Sequence, residues 1–229
     1  MKILLIDTCG ETGTVAVASS DAAAATQTAT LPGRTASERL LPTIRDIASP
    51  LDALGAIVVV HGPGSFTGVR VGLSAAKGLC EALEVPLIAI SRLAVMAHAS
   101  ELPPETRVHA VLDAGRGEFY VGIYQNGICL REALLTRDEL MAEIAETRNG
   151  LTVVACEPAV VEALPALSPR QIAQPTAETA LPLAWLRLKA NAYDDIVTLD
   201  ANYLRRTDAE IFAKPRPSLK PGPVESPVP

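Results

Sequence analysis

A glycine-rich segment is the part of the sequence whose residue types most suggest chemistry. Residues 62–72 read Gly-Pro-Gly-Ser-Phe-Thr-Gly-Val-Arg-Val-Gly and follow an apolar, β-branched run at residues 56–60. They lead into residues 71–80, in which apolar side chains recur at helical spacing. A glycine-rich turn between a strand and a helix presents backbone N–H groups at the helix N-terminus. Such a turn suits either a bound anion or a closely packed segment of the chain.

Two standard nucleotide-binding motifs do not fit this segment. A P-loop ends in Gly-Lys followed by Ser or Thr, whereas the next lysine in this chain is Lys77. A dinucleotide fingerprint needs a third glycine where Thr67 stands and an acid after the next strand, which ends at Ser91. The candidate nucleotide or anion site is therefore a non-standard, vestigial one. Its residues are Asp7, Thr8, Gly62, Gly64 and Ser65.

Residues that commonly bind metals or act as nucleophiles occur at spacings that support neither role. The three histidines form neither a His-x-x-x-His nor a His-Glu-x-x-His spacing, which argues against a helical zinc or iron site. Ser65 lacks a Gly-x-Ser-x-Gly elbow, although His61 lies close by in sequence. The four cysteines contain no Cys-x-x-Cys pair, so we interpret them as buried thiols, with Cys9 near a possible cleft. We predict no catalytic residue, no metal and no cofactor.

The exact order of residues in the glycine-rich segment carries a family resemblance. Residues 62–73, together with Ala-Lys-Gly-Leu at 76–79, resemble the signature of the bacterial TsaB (YeaZ) family. Ser37-Glu38, Leu40-Leu41-Pro42 and Tyr203-Leu204-Arg205 match it as well, so the resemblance covers residues 1 to about 206. It implies a non-catalytic subunit that activates a TsaD-like catalytic partner. The complex threonylcarbamoylates the adenosine next to the anticodon of tRNA.

The resemblance also implies what has been lost from the site. The catalytic relatives hold a metal with a His-x-x-x-His pair, and the corresponding positions here are Arg92 and Met96. Neither side chain replaces an imidazole ligand, and Arg92 would repel a cation. In the actin-like superfamily an acid at the end of the first strand serves a magnesium–nucleotide site. For Asp7 we weigh that role against simple capping of the turn by its carboxylate.

A duplication predicts the fold class. Residues 2–8 form a predicted strand that ends on Asp7, followed by a turn and a return strand at 14–18; the pattern recurs 106 residues later, ending on Asp113. With the helical segments between them, these units predict an α/β protein built from two duplicated units. The resemblance implies that the two units are ribonuclease H-like lobes, as in the actin-like ATPase superfamily. We predict an N-terminal lobe at 1–103, a C-terminal lobe at 104–212 and a flexible, proline-rich tail at 213–229.

Two predicted helices form the candidate partner surface. Thr35 and Glu38 fit a capping box, and Leu40, Leu41, Ile44 and Ile47 form an apolar stripe on the first helix. Small residues on the second helix permit close approach of another helix or close internal packing. The resemblance implies that this helix pair binds the partner. The predicted contact residues are Ser37, Glu38, Leu41, Arg45, Val69, Arg70, Leu73, Ala76 and Lys77.

Charge and hydropathy limit the partners. The 20 basic and 26 acidic side chains give a net charge of −6, which argues against autonomous nucleic-acid binding. No apolar run approaches the roughly 18 residues of a membrane span, so we expect no membrane partner and a cytoplasmic protein. The resemblance implies a TsaE-like ATPase in the larger complex, tRNA bound only through that complex, and homodimers in isolation. The alternatives are an autonomous actin-fold ATP-dependent transferase and a metal-independent peptidase.

Overall fold

The first of two sheets is built from the N-terminal part of the chain. The computed structural model describes residues 1–19, 24–32, 35–146 and 151–204. The strands are β1 (Lys2–Asp7), β2 (Gly13–Ser19), β3 (Gln27–Leu31), β4 (Leu54–Val60) and β5 (Leu87–Ile90), in the order β3-β2-β1-β4-β5. β1 pairs antiparallel with β2 and parallel with β4. The helices in this part are α1 (Ala36–Ala48), α2 (Phe66–Leu83) and α3 (Arg92–Ala99). This sheet and α1–α3 are called the first lobe below.

The second sheet repeats the same arrangement. Its strands are β6 (Arg107–Gly115), β7 (Glu118–Gln125), β8 (Ile128–Thr136), β9 (Leu151–Ala155) and β10 (Arg170–Gln171). Their order, β8-β7-β6-β9-β10, places each strand where its counterpart lies in the first sheet. The helices that follow are α4 (Arg137–Glu146), α5 (Pro158–Ala163) and α6 (Leu181–Lys189). The predicted α/β duplication is confirmed, and this sheet with α4 and α5 is the second lobe.

The two strand-terminal acids have the same local role. Asp7 Oδ1 accepts a 2.8 Å hydrogen bond from the N–H of Cys9. Asp113 Oδ1 accepts a 2.7 Å bond from the N–H of Gly115. Each carboxylate therefore caps the turn that leads into its hairpin, as Asp commonly does. These contacts support the turn-capping interpretation at both positions.

The C-terminal part of the described chain returns to the first lobe. The large apolar cluster around the first sheet includes Leu181, Ala184 and Leu188 of α6, and Trp185 packs against it. A second cluster surrounds the other sheet and contains Leu140 of α4. The lobe boundaries at 103 and 212 stay predictions, and the proposed tail at 213–229 lies outside the described residues.

Helix α1 differs from its prediction at its N-terminus. Thr35 stands at the N-cap position, but its hydroxyl donates to the carbonyl oxygen of Pro32 (3.0 Å) and no side chain caps the helix, so the capping box is wrong. Leu40 and Ile44 are buried, whereas Leu41 is 55% exposed. The buried positions recur every four residues because only that face meets the sheet. Leu41 is therefore a surface residue.

None of the helices in the described ranges has the length and apolar character needed to cross a membrane.

His109 provides a test of how the second lobe is packed. Its side chain is fully buried in β6, and neither ring nitrogen has a hydrogen-bond partner among the described residues. Burial, with a smaller contribution from the charge of Arg107, lowers its pKa from 6.5 to about 4. The unfolded chain therefore binds a proton below about pH 6.5 that the folded chain binds only near pH 4. The free energy of unfolding is expected to fall by about 3 kcal/mol across that range.

Denaturant unfolding at several pH values measures this contribution. His109→Leu should remove it from the pH dependence, whereas the exposed His98→Gln should keep the wild-type curve. A His109→Leu curve that falls as steeply as wild type would contradict the assignment.

Candidate functional site

Glycines of the loop and of α2 let the helix lie directly against the end of β1. A Cβ at Gly68 would lie 2.0 Å from the carbonyl oxygen of Thr8, and one at Gly72 would lie 2.3 Å from Thr8 Oγ1. A Cβ at Gly64 would lie 2.4 Å from the carbonyl oxygen of Cys9. No side chain fits at those distances, so the three glycines permit close packing. The sequence left open whether this segment binds an anion or packs closely against another segment of the chain. The contacts support close packing.

The polar groups of the predicted anion site are largely used within the chain. The Ser65 N–H donates to the carbonyl oxygen of Cys9 (2.8 Å), and Ser65 Oγ accepts from the N–H of Gly68 (3.3 Å). Thr8 Oγ1 donates to the Gly68 carbonyl oxygen (2.6 Å), while the Gly62 carbonyl oxygen accepts from the N–H of Arg92 (2.7 Å). Asp7, Thr8, Gly62, Gly64 and Ser65 thus lie together, as the sequence suggested. Their mutual contacts stabilise the junction of β1, β4 and α2.

A cleft opens between the two lobes next to this junction. It encloses about 420 Å³. The first lobe contributes Cys9, Gly10, Glu11, Gly64, Ser65 and Arg92, and the remaining lining residues are Leu112, Asp113 and Glu157. The cleft lies at the carboxyl ends of β1 and β6, which is where open α/β sheets commonly bind ligands.

Arg92 places a buried positive charge in the wall of the cleft. Only 4% of the residue is exposed. Its terminal nitrogens donate to the carbonyl oxygen of Cys9 (3.3 Å) and to Gln174 Oε1 (3.0 Å), whereas Nε has no partner. Burial raises the pKa of Asp7, and the charge of Arg92 offsets part of that rise. The wall of the cleft therefore carries a buried positive charge at Arg92.

Cys9 lies in the cleft wall but is held as a thiol. Its Sγ donates to the carbonyl oxygen of Val60 (3.1 Å). Burial, reinforced by the nearby Asp7, raises the pKa of Cys9 well above its usual value. A buried neutral thiol is a weak nucleophile. Cys80 and Cys156 are also buried, but Cys129 is exposed, so the prediction of four buried cysteines is wrong at that position.

The predicted partner surface divides into exposed and buried residues. Ser37, Glu38, Leu41, Arg45 and Arg70 are exposed, and Lys77 is half-buried. Val69, Leu73 and Ala76 belong to the core and are 6% exposed or less. These three are corrected from contact residues to packing residues, because the face of α2 that carries them lies on the first sheet. An apolar groove of about 330 Å³ runs between α1 and α2, lined by Leu41, Pro42, Ile44, Arg45, Leu51 and Leu79.

An exposed aromatic cluster at the start of α2 was not predicted. The guanidinium carbon of Arg70 lies 3.5 Å from the ring centroid of Phe66, which is 52% exposed. Arg70 Nε donates to the hydroxyl of Tyr203 at 2.6 Å. The i, i+4 spacing of Phe66 and Arg70 could have suggested a stacked pair. Nothing local indicates Tyr203, which is 133 residues away from Arg70.

A second unpredicted feature joins the lobes through Glu132 of β8. Its carboxylate accepts hydrogen bonds from the hydroxyls of Ser91 and Tyr124 and from Asn202 Nδ2 (2.6 Å). The N–H of Asn202 donates to the carbonyl oxygen of His61 (2.9 Å) at the end of β4. Residues 200–204, here called the strap, therefore contact both sheets.

Known proteins resemble this chain in sequence and in fold. The family model for "TsaD: tRNA N6-adenosine threonylcarbamoyltransferase" matches residues 30–213. The chain belongs to this family. It is 39% identical over 136 residues to the tRNA threonylcarbamoyladenosine biosynthesis protein TsaB of Escherichia coli (strain K12), covering 56% of this chain and 58% of that protein. The TsaB protein of Bacillus subtilis (strain 168) is 34% identical over 152 residues, covering 64% and 65%.

Solved structures extend the comparison to the whole fold. A crystal structure of an uncharacterized protein with similarity to peptidase YeaZ from Pseudomonas aeruginosa has a TM-score of 0.72 and 29% identity, covering 89% of this chain and 99% of that one. The chain spans less than two thirds of the length of the first curated relatives that it matches. The resemblance to TsaB and the two-lobed actin-like fold are confirmed.

The close packing of α2 can be tested with two glycine substitutions in the same helix. Gly68→Ala forces a methyl group against the Thr8 carbonyl oxygen, and we expect a loss of about 3 kcal/mol in the free energy of unfolding. At Gly78 a Cβ meets no atom within 4 Å, so Gly78→Ala should gain up to about 1 kcal/mol from helix propensity. Urea denaturation measures both changes. Equal effects at the two positions would contradict the packing role.

Proposed function

We propose that this protein is a non-catalytic accessory subunit that binds and activates a TsaD-like catalytic partner for threonylcarbamoylation of tRNA. The observation that carries the proposal is the exposed face of the α1–α2 pair, where Leu41 is 55% exposed beside an apolar groove. Exposed apolar residues beside a groove are typical of protein–protein contacts. The names of the relatives supply the pathway.

The chemistry of the cleft supports a non-catalytic role. Arg92 and Met96 stand where the catalytic relatives need metal-binding imidazoles, and the buried Cys9 thiol is protonated. His61 Nδ1 lies 3.3 Å from the carbonyl oxygen of Asp200, and Ser65 Oγ accepts from a backbone N–H. These contacts favour neither the peptidase nor the transferase alternative. A subunit of this kind acts by stabilising the active conformation of its partner.

The remaining partners in this proposal are tRNA and an ATPase. With a net charge of −6, tRNA binds through the TsaD-like subunit rather than through this chain alone. A TsaE-like ATPase completes the larger complex in this proposal.

Leu41→Glu tests the partner surface. A charge in the centre of a docking surface should weaken binding to the TsaD-like protein of the same organism by about 30-fold or more, as at an interface hot spot. Leu186 on α6 is 63% exposed and lies outside the groove, so Leu186→Glu is the matched control. Titration calorimetry gives both affinities. Unchanged binding by Leu41→Glu would remove this surface from the proposal.

The same preparations test the division of labour. A threonylcarbamoyl-transfer assay on tRNA should show product only when both subunits are present, and Leu41→Glu should reduce product formation in proportion to the lost complex. Activity of this chain in the absence of the partner would contradict the non-catalytic assignment.

We further propose that the α1 face pairs with itself when the partner is absent. Glu38 and Arg45 are exposed, seven residues apart, with Leu41 between them. In a two-fold antiparallel pairing each Glu38 lies opposite Arg45 of the second copy, which gives two complementary charge pairs.

A charge exchange tests the homodimer. Glu38→Arg should weaken self-association, and adding Arg45→Glu in the same chain should restore it because the two charges are exchanged. Glu146→Arg on the exposed end of α4 is the control. Sedimentation equilibrium measures the dimer constant, and a double variant as weak as Glu38→Arg would exclude this pairing.

A further inference from the structure

The guanidinium of Arg92 is not neutralised by a salt bridge in the part of the chain that the structure describes. Only 4% of the residue is exposed, and no carboxylate of the described residues lies within salt-bridge distance of it. Its hydrogen bonds go to two neutral oxygens, those of the Cys9 carbonyl and the Gln174 amide, and Nε is unpaired. Arginine is rarely buried without a paired anion, because an uncompensated charge costs several kcal/mol. Asp7 acts on this charge without forming a salt bridge, so no anion among the described residues contacts the guanidinium.

This charge faces a space large enough for a ligand. Arg92 lines the inter-lobe cleft of about 420 Å³, within the usual size range of small-molecule sites. Gly64 and Ser65, which line the same cleft, stand at the N-terminus of α2. That helix has 18 residues, and its dipole adds partial positive charge at this end. One side of the cleft is thus suited to a carboxylate.

The remaining polar side chains of the cleft have the opposite charge. Asp113 and Glu157 line the second-lobe side, and Glu11 lies on the turn between β1 and β2. Glu157 Oε2 accepts the backbone N–H of Asp113 (2.8 Å), which holds the Glu157 carboxylate beside the end of β6. Carboxylates that line the cleft would repel a phosphate bound there, and they would attract an ammonium group.

We propose that the inter-lobe cleft binds a free α-amino acid. Its carboxylate pairs with Arg92 and the N-terminus of α2, and its ammonium group pairs with Asp113 and Glu157. A molecule that carries both charges on neighbouring atoms satisfies both sides of the cleft, which neither a simple anion nor a simple cation does. The inference does not depend on the partner-binding role proposed above.

Titration calorimetry with three matched probes tests the proposal on the full chain. L-Alanine carries both charges, N-acetyl-L-alanine lacks the ammonium group, and L-alaninamide lacks the carboxylate. L-Alanine is expected to bind with a dissociation constant in the millimolar range or below, and each blocked probe at least about 10-fold more weakly. Inorganic phosphate and ATP are titrated in parallel. Saturable binding of either one without binding of L-alanine, or no binding of any probe up to about 50 mM, overturns the proposal.

Variants connect the binding to the named side chains. Glu157→Gln removes the charge but keeps an oxygen for the Asp113 N–H, and it should weaken L-alanine binding at least about 10-fold without changing that of N-acetyl-L-alanine. Glu162→Gln, on the exposed side of α5, is the control. Arg92→Gln should abolish binding, and Arg92→Lys should keep part of it. If Arg92→Gln fails to fold, Glu157→Gln and the three probes still decide, and equal affinities for wild type and Glu157→Gln contradict the site.

Discussion

The contact between the first turns of α2 and the end of β1 determines much of the remaining structure. Gly68 and Gly72 are one helical turn apart, and both lie on Thr8 at distances that leave no space for a Cβ. Thr8 adds a hydrogen bond to the Gly68 carbonyl oxygen. Because the helix is held this closely at one end, its buried face is fixed on the sheet, and the orientation of its exposed face is fixed with it. The shape of the cleft and the shape of the α1–α2 groove therefore depend on the same packing contact.

Charge distinguishes this cleft from a metal-dependent active site. The buried positive charge of Arg92 lies in the wall of the cleft, and burial raises the pKa of the nearby Asp7. Both features disfavour a bound cation at this point.

The sequence predicted features that depend on local pattern. The duplication was visible because both units end their first strand on an acid, and the glycine-rich segment was distinctive because close packing tolerates no substitution at its glycines. The capping box failed since the hydroxyl of Thr35 had a nearer acceptor in Pro32. Leu41 belongs to the predicted apolar stripe yet is 55% exposed, because a stripe of apolar residues does not show where the buried face ends.

Local sequence patterns could not predict contacts between residues that are far apart in the chain. Val69, Leu73 and Ala76 were assigned to the partner surface, yet the sheet covers them, and only the three-dimensional packing shows that. The hydrogen bond from Arg70 to Tyr203, and those from Ser91 and Asn202 to Glu132, join residues far apart in the chain. Each of these residues is an ordinary polar or aromatic residue in its own segment. Periodicity carries no signal for such pairs.

The strap has a mechanical consequence. A hinge needs a connection that can bend without losing several bonds at once, and Glu132 binds groups from the start of α3, from β7 and from the strap itself. Rotation of one lobe against the other would break the Ser91 contact and one of the two Asn202 bonds, which go to Glu132 and to the end of β4. These contacts therefore resist rotation of one lobe against the other.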